Sequence, residues 1–191
     1  MRTQKILIAL MIAAFISLIG VAAILFYANR TPTLGGNFEA VSVTGAWHFA
    51  DEAKDLNLLY IGYAKCPDVC PLALSYSREA VAKFSVDELK RLRVLFLSVD
   101  TEHDTPQSVA EYAKQFDPNF IGLTGSKNQI DRAVNLFGAS YIVELNPKSY
   151  LGYSIAHTDR IFFLNKKGIV IDSITSPRSS EIIVEKIKEH L

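Results

Sequence analysis

The sequence has no surplus of charge and almost no cysteine. Lysine plus arginine total 20 and aspartate plus glutamate total 20, so the chain lacks the basic excess that phosphate backbones attract. Nucleic acid is therefore not an expected partner. Two cysteines in 191 residues are too few for a disulfide-stapled scaffold, so an apolar core has to hold the fold. No internal repeat or low-complexity tract breaks the chain, and its length suits one domain of ordinary size plus an appendage.

The longest gap in charge lies at the start. Ile6 to Tyr27, ILIALMIAAFISLIGVAAILFY, is 22 residues without a charged side chain. At about 1.5 Å per residue a helix of that length crosses a hydrocarbon layer roughly 30 Å thick. The competing reading is a cleaved signal peptide, whose apolar region usually runs only about 7 to 15 residues. Arg2, Lys5 and the amino terminus precede the run, and Arg30 is the nearest cation after it. This bias places residues 1–5 on the cytoplasmic side and the rest of the chain outside. The segment 28–39, with Pro32, Gly35 and Gly36, reads as a flexible linker.

From residue 40 onward short β-branched runs alternate with amphipathic stretches, the pattern of an α/β domain around a sheet. Ala40 to Phe49 predicts a hairpin turning near Gly45. Asn57 to Tyr63 and Arg93 to Val99 predict buried strands, joined by a helix with Pro71 at its first position. Ala73, Ser77, Ala80, Val81 and Phe84 form that helix's packed face. Helices are expected over Pro106 to Phe116, capped by Thr105, and over Ser126 to Phe137, with a strand near Asn119 to Leu123 between them. A hairpin, Ile161 to Leu164 and Ile169 to Ile174, and a helix Glu181 to His190 close the chain. This β-β-α ending fits a thioredoxin-like sheet.

Both cysteines fall in GYAKCPDVCPL, residues 62–72. The loop leaves a predicted strand at its carboxyl end, where reactive groups of open α/β sheets gather. Thioredoxin-like oxidoreductases use C-x-x-C at a helix start, where free amides lower the thiol pKa. The spacing here is one residue wider. Such a loop can close into a disulfide, act as a redox pair, or let two thiolates converge on one ion.

In order and spacing, GYAKCPDVCPLAL, SVDTEHDTP, GLTGS and SIAHTDRIFFLNKKG resemble the Sco/SenC family over about residues 34–190. The C-P-D-V-C-P segment is the specific part. The resemblance implies a membrane-anchored, thioredoxin-like copper protein, a copper chaperone that helps assemble the copper centre of cytochrome c oxidase. It implies copper ligands Cys66, Cys70 and His157, a domain at 40–191 facing the periplasm from a single-pass anchor in a bacterial inner membrane, and a partner in the oxidase subunit that takes the copper. Soft thiolates with an imidazole suit Cu(I), while ligand type alone leaves zinc open. The rival function is a thiol-disulfide oxidoreductase acting on that subunit's cysteines or in redox defence. A peroxidase is weaker, since no resolving cysteine exists beyond the pair.

His157 precedes the predicted strand Ile161 to Leu164, where thioredoxin-like folds carry a cis-proline facing the cysteines, and a histidine there would face the thiols. Two departures from the family stand out. Ala156 replaces an aspartate that commonly precedes the histidine, with Asp159 as a substitute for its carboxylate, and TEHD replaces PERD after Asp100, placing His103 near the same end of the sheet. His103 is expected in a surface loop, Asp68 as a turn-shaping residue, Asp100 as a cap, and His48 and His190 as bystanders. Tyr60, Tyr63, Phe96 and Phe163 are expected in the core.

Overall fold

The computed structural model describes residues 2–28 and 33–191, with side chains at 2, 3, 5, 7, 9, 27 and 28 excepted. The chain divides into two compact units, Met1–Thr33 and Leu34–Leu191. The first is a single helix, α1 (Arg2–Ala28). Its described side chains are exposed all round, Leu10, Phe15, Ile19 and Ile24 among them. Among the described residues, no helix is long and apolar enough to cross a membrane. The expected span, 6–27, includes positions 7, 9 and 27, which lie outside the described side chains.

The second unit is built on a five-stranded sheet of order β5-β4-β3-β8-β9. Its central strands β3 (Leu56–Gly62) and β4 (Leu92–Ser98) run parallel, with Leu56 opposite Leu92 and Gly62 opposite Ser98. Every residue of β3 is buried, as expected of a strand covered on both faces. β5 (Ile121–Leu123) pairs parallel with β4, while β8 (Arg160–Asn165) and β9 (Val170–Thr175) pair antiparallel beyond β3. An opening hairpin, β1 (Glu39–Ser42) and β2 (Gly45–His48), turns just ahead of Gly45 and is followed by the short α2 (Phe49–Glu52).

The helices start where side chains can accept from their free amides. α4 (Val86–Arg91), α5 (Pro106–Lys114) and α6 (Lys127–Leu136) each open with a capping box, from Ser85, Thr105 and Ser126. α7 (Ser180–His190) is capped by Ser179 and packs on α3 (Val69–Val81). The helix α3 starts two residues before the position expected, so Pro71 stands within the first turn, where no amide bond is lost. Its buried side includes Ala73, Leu74, Ser77, Ala80 and Val81. Phe49, Phe96, Phe137, Phe162 and Phe163 are wholly buried in one core, each adding roughly 1.5 to 3 kcal/mol by its burial.

Two differences from the sequence reading bear on the site. Residues 34–38, expected as linker, are held in the domain: Gly35 donates to Leu136 O at 2.8 Å, Gly36 to Gly168 O at 2.9 Å, and Phe38 is buried. A second hairpin, β6 (Tyr141–Leu145) and β7 (Tyr153–His157), was not foreseen. It forms a two-stranded sheet of its own, outside the five-stranded one.

Candidate metal centre

Strand β3 delivers the chain to the edge of the site at Gly62, and residues 63–68 turn into α3. Cys66 lies in that turn, its amide donating to Tyr63 O at 3.1 Å, and Cys70 lies in the first turn of α3. Both are free thiols. Cys70 is wholly buried, while Cys66 keeps 9% of its surface. The Cys70 thiol donates to the Cys66 sulfur, and with His157 and the amides of Asp68 and Cys70 it holds the Cys66 thiol well below the ordinary range despite burial. Burial pushes the Cys70 thiol up, and its bond to Cys66 adds to the rise. The pair therefore gives up one proton readily, from Cys66, and keeps the second.

His157 ends β7, opposite Tyr141. Its Nε2 lies 3.3 Å from Cys70 Sγ and 3.9 Å from Cys66 Sγ, and the three ligand atoms lie within 4.8 Å of one another. The histidine thus faces the thiols and precedes β8 as expected, although it also ends the separate hairpin. Tyr60 and Tyr63 meet its ring edge-on, at 6.1 and 5.9 Å between centroids. His157 Nδ1 is 3.4 Å from Thr158 O, an acceptor that could take the ring proton once Nε2 binds a metal ion.

That main-chain oxygen stands where Ala156 offers no carboxylate. Asp159 does not fill the gap but turns elsewhere, accepting from the Tyr60 hydroxyl at 2.8 Å and from Arg178 at 2.9 Å. Tyr60 and Tyr63 are buried as expected, and they are also the walls of the imidazole's slot.

The other expected residues separate cleanly. Asp68 is exposed and precedes α3 without a side-chain cap bond. His48 sits 3.8 Å from Glu39 on the surface. His190, Asp172 and Glu189 form a second group of possible ligands, but the Lys186 ammonium already pairs with Asp172 at 3.0 Å and Glu189 at 2.8 Å, so a cation is present there without a metal. His103 is exposed in the turn after β4, as expected, and is tied down there. Its Nδ1 is 2.8 Å from Asp100 Oδ1, and its ring stacks on Tyr153 at 4.6 Å and 15°. Tyr153, missed in the sequence, is buried and donates to Asp100 Oδ2.

Two sulfurs and one imidazole nitrogen, gathered in a mostly dry recess, make a soft donor set that suits a thiophilic ion such as Cu(I) or zinc better than magnesium or calcium. One acidified thiol, a poised Nε2 and a buried second sulfur fit such an ion, and nothing in the recess needs to move far to meet it.

Comparison with known proteins gives a consistent result. The SCO1/SenC family model matches residues 27–191. An SCO2-like protein of Rickettsia felis is 31% identical over 156 residues, 81% of this chain and 76% of that protein. The human mitochondrial SCO1 homolog is 31% identical over 163 residues, 84% of this chain and 54% of the human protein. Among solved structures, apo Sco1 of Thermus thermophilus superposes with a TM-score of 0.75 at 27% identity, covering 85% of this chain and 95% of the other. The copper-bound ScoI of Arabidopsis thaliana gives 0.72 at 26% identity, covering 82% and 97%.

Proposed function

This chain belongs to the SCO1/SenC family, and from that premise we propose that it is a membrane-anchored copper chaperone holding copper through Cys66, Cys70 and His157. The observation that carries the reading is the convergence of those three ligand atoms within 4.8 Å, in a fold shared with relatives solved with copper bound. Copper would supply a soft centre for two thiolates and one neutral imidazole. The chain's own part is to present Cys66 ionised, to keep Cys70 shielded, and to aim Nε2 inward. An external disulfide that took two electrons and two protons from the thiols, becoming two thiols itself, would leave Cys66 and Cys70 joined and close the site to copper.

Anchoring rests on α1. A helix apolar on every side has no face to leave in water, and a membrane is the environment that satisfies it. Arg2 and Lys5 at the start of α1, ahead of its uncharged run, and the domain after it in sequence favour a single pass through a bacterial inner membrane, with the domain in the periplasm. Assembly of the copper centre of cytochrome c oxidase, with the copper-receiving subunit as partner, follows from the family resemblance of the site. The acidified, partly exposed Cys66 also favours a second reading, thiol-disulfide exchange on that subunit.

The test is copper retention by the full chain in detergent, reduced and loaded with Cu(I) against a chelator of known affinity. One copper per chain, weakened in Cys66→Ser, Cys70→Ser and His157→Ala, is the expected result. Thiol exchange that proceeds without copper retention and ignores His157→Ala would replace the chaperone by the oxidoreductase.

A further inference from the structure

The two halves of the candidate site are joined through the turn after β4. The hairpin that carries His157 has no ladder to the main sheet, and at its tip the Tyr150 hydroxyl donates to Lys65 O of the cysteine loop at 3.1 Å. Nearer His157, the turn after β4 links hairpin and loop with two buried carboxylates. Asp104 Oδ2 accepts from the amide of Ala64 at 2.8 Å and from Ser98 Oγ at 2.5 Å, which holds the cysteine loop two residues ahead of Cys66. Ser98 Oγ in turn accepts from the amide of Asp100 at 3.1 Å, and Asp104 N donates to Asp100 O at 2.9 Å. Asp100 Oδ2 accepts from Tyr153 at the head of β7, four residues before His157. His103 completes the bracket, bonding Asp100 Oδ1 and lying flat on the Tyr153 ring.

We propose that Asp100, His103 and Tyr153 are positioning residues, which lock the His157 strand to the same turn that holds the cysteine loop and so set the copper affinity of the site. This rests on the reading of the site as a copper site. The argument is geometric: a hydrogen-bonded path runs from the Ala64 amide through Asp104, Ser98 and Asp100 to Tyr153, and each carboxylate in it is at most 6% exposed. Buried acceptors of this kind hold position tightly, because moving away strands a polar group. The family's usual arginine in this turn is here His103, whose flat ring can both bond the carboxylate and stack on the tyrosine.

The test is a double-mutant cycle on the full chain in detergent, with Cu(I) competition as the readout and far-UV circular dichroism as the check of folding. Tyr153→Phe removes one hydroxyl and keeps the ring, and Asp100→Asn is the second route to the same break. If the bracket works through His157, Tyr153→Phe weakens copper binding about 10- to 100-fold, the usual loss when a partner that orients a ligand is removed. Added to His157→Ala it then costs nothing further. An affinity equal to wild type in both Tyr153→Phe and Asp100→Asn overturns the proposal, as does an equal loss with and without His157, which marks a merely general weakening. A wild-type chain that holds no copper would remove the copper reading itself, and the proposal with it, whereas the other two outcomes leave that reading standing.

Discussion

A methyl group placed on Gly62 would stand 2.5 Å from Cys70 Sγ and 3.2 Å from the Phe96 ring. The absent side chain is what lets the buried sulfur lie against the end of β3, so this glycine serves the site by leaving room. Gly62→Ala is expected to cost about 1 to 3 kcal/mol, as overpacking does, and to lower copper affinity at least tenfold by pushing Cys70 aside. Urea unfolding and chelator competition measure the two separately, and unchanged affinity would show that the sulfur has another place to go. The motif around the cysteines was legible in the sequence because two soft ligands and three prolines and glycines sit within a few residues. The reason for Gly62 was not, because the clash it avoids is with a residue eight positions later in a different element. The same holds for His103, whose partners Asp100 and Tyr153 lie 3 and 50 positions away.

At the scale of elements, β3 and β4 were readable as dense apolar runs and α5 and α6 by the caps Thr105 and Ser126, while α4 was not foreseen although Ser85 caps it. The hairpin β6–β7 was not. Its first strand, Tyr141–Leu145, exposes Ile142, Val143, Glu144 and Leu145 together, so the alternation that marks a half-buried strand is missing. The site histidine was found by motif while the element carrying it was not. The closing helix α7 offers a test of a different kind. Asp172 on β9 is paired with His190 Nε2 at 3.0 Å and with Lys186 at 3.0 Å, and His190 first, then Lys186, hold its carboxyl down at about 2. A carboxylate depressed in the folded state adds stability above its ordinary value and loses it as pH falls through the depressed one. Asp172→Asn should therefore melt below wild type at pH 6, with the gap narrowing between about pH 4 and pH 2. A gap that stays constant over that range would mean that the pair does not hold the helix.

For the whole molecule, the boundary between Thr33 and Leu34 allows the proposed anchoring and the proposed copper binding to be tested apart. A chain beginning at Leu34 keeps the entire core and all three ligands, so it should fold and hold copper as the full chain does. The full chain should sediment with membranes and resist a high-salt wash, which the shorter one should not. Sedimentation of both forms together would place the attachment in the domain instead of α1. The separate amino-terminal unit was legible from its uncharged run, whereas the docking of 34–38 was hidden by a composition that resembles a linker. Glycines there permit close approach, Gly35 with φ +91° against the oxygen of Gly168.

The unequal burial of the two sulfurs also gives the site a direction. Cys70 has no exposed surface and Cys66 has 9%, so of the two cysteines an incoming thiol or metal-seeking group meets Cys66 first. Exchange at this centre accordingly has an order: the rim sulfur is the first to change hands, and the inner one is the last to let go.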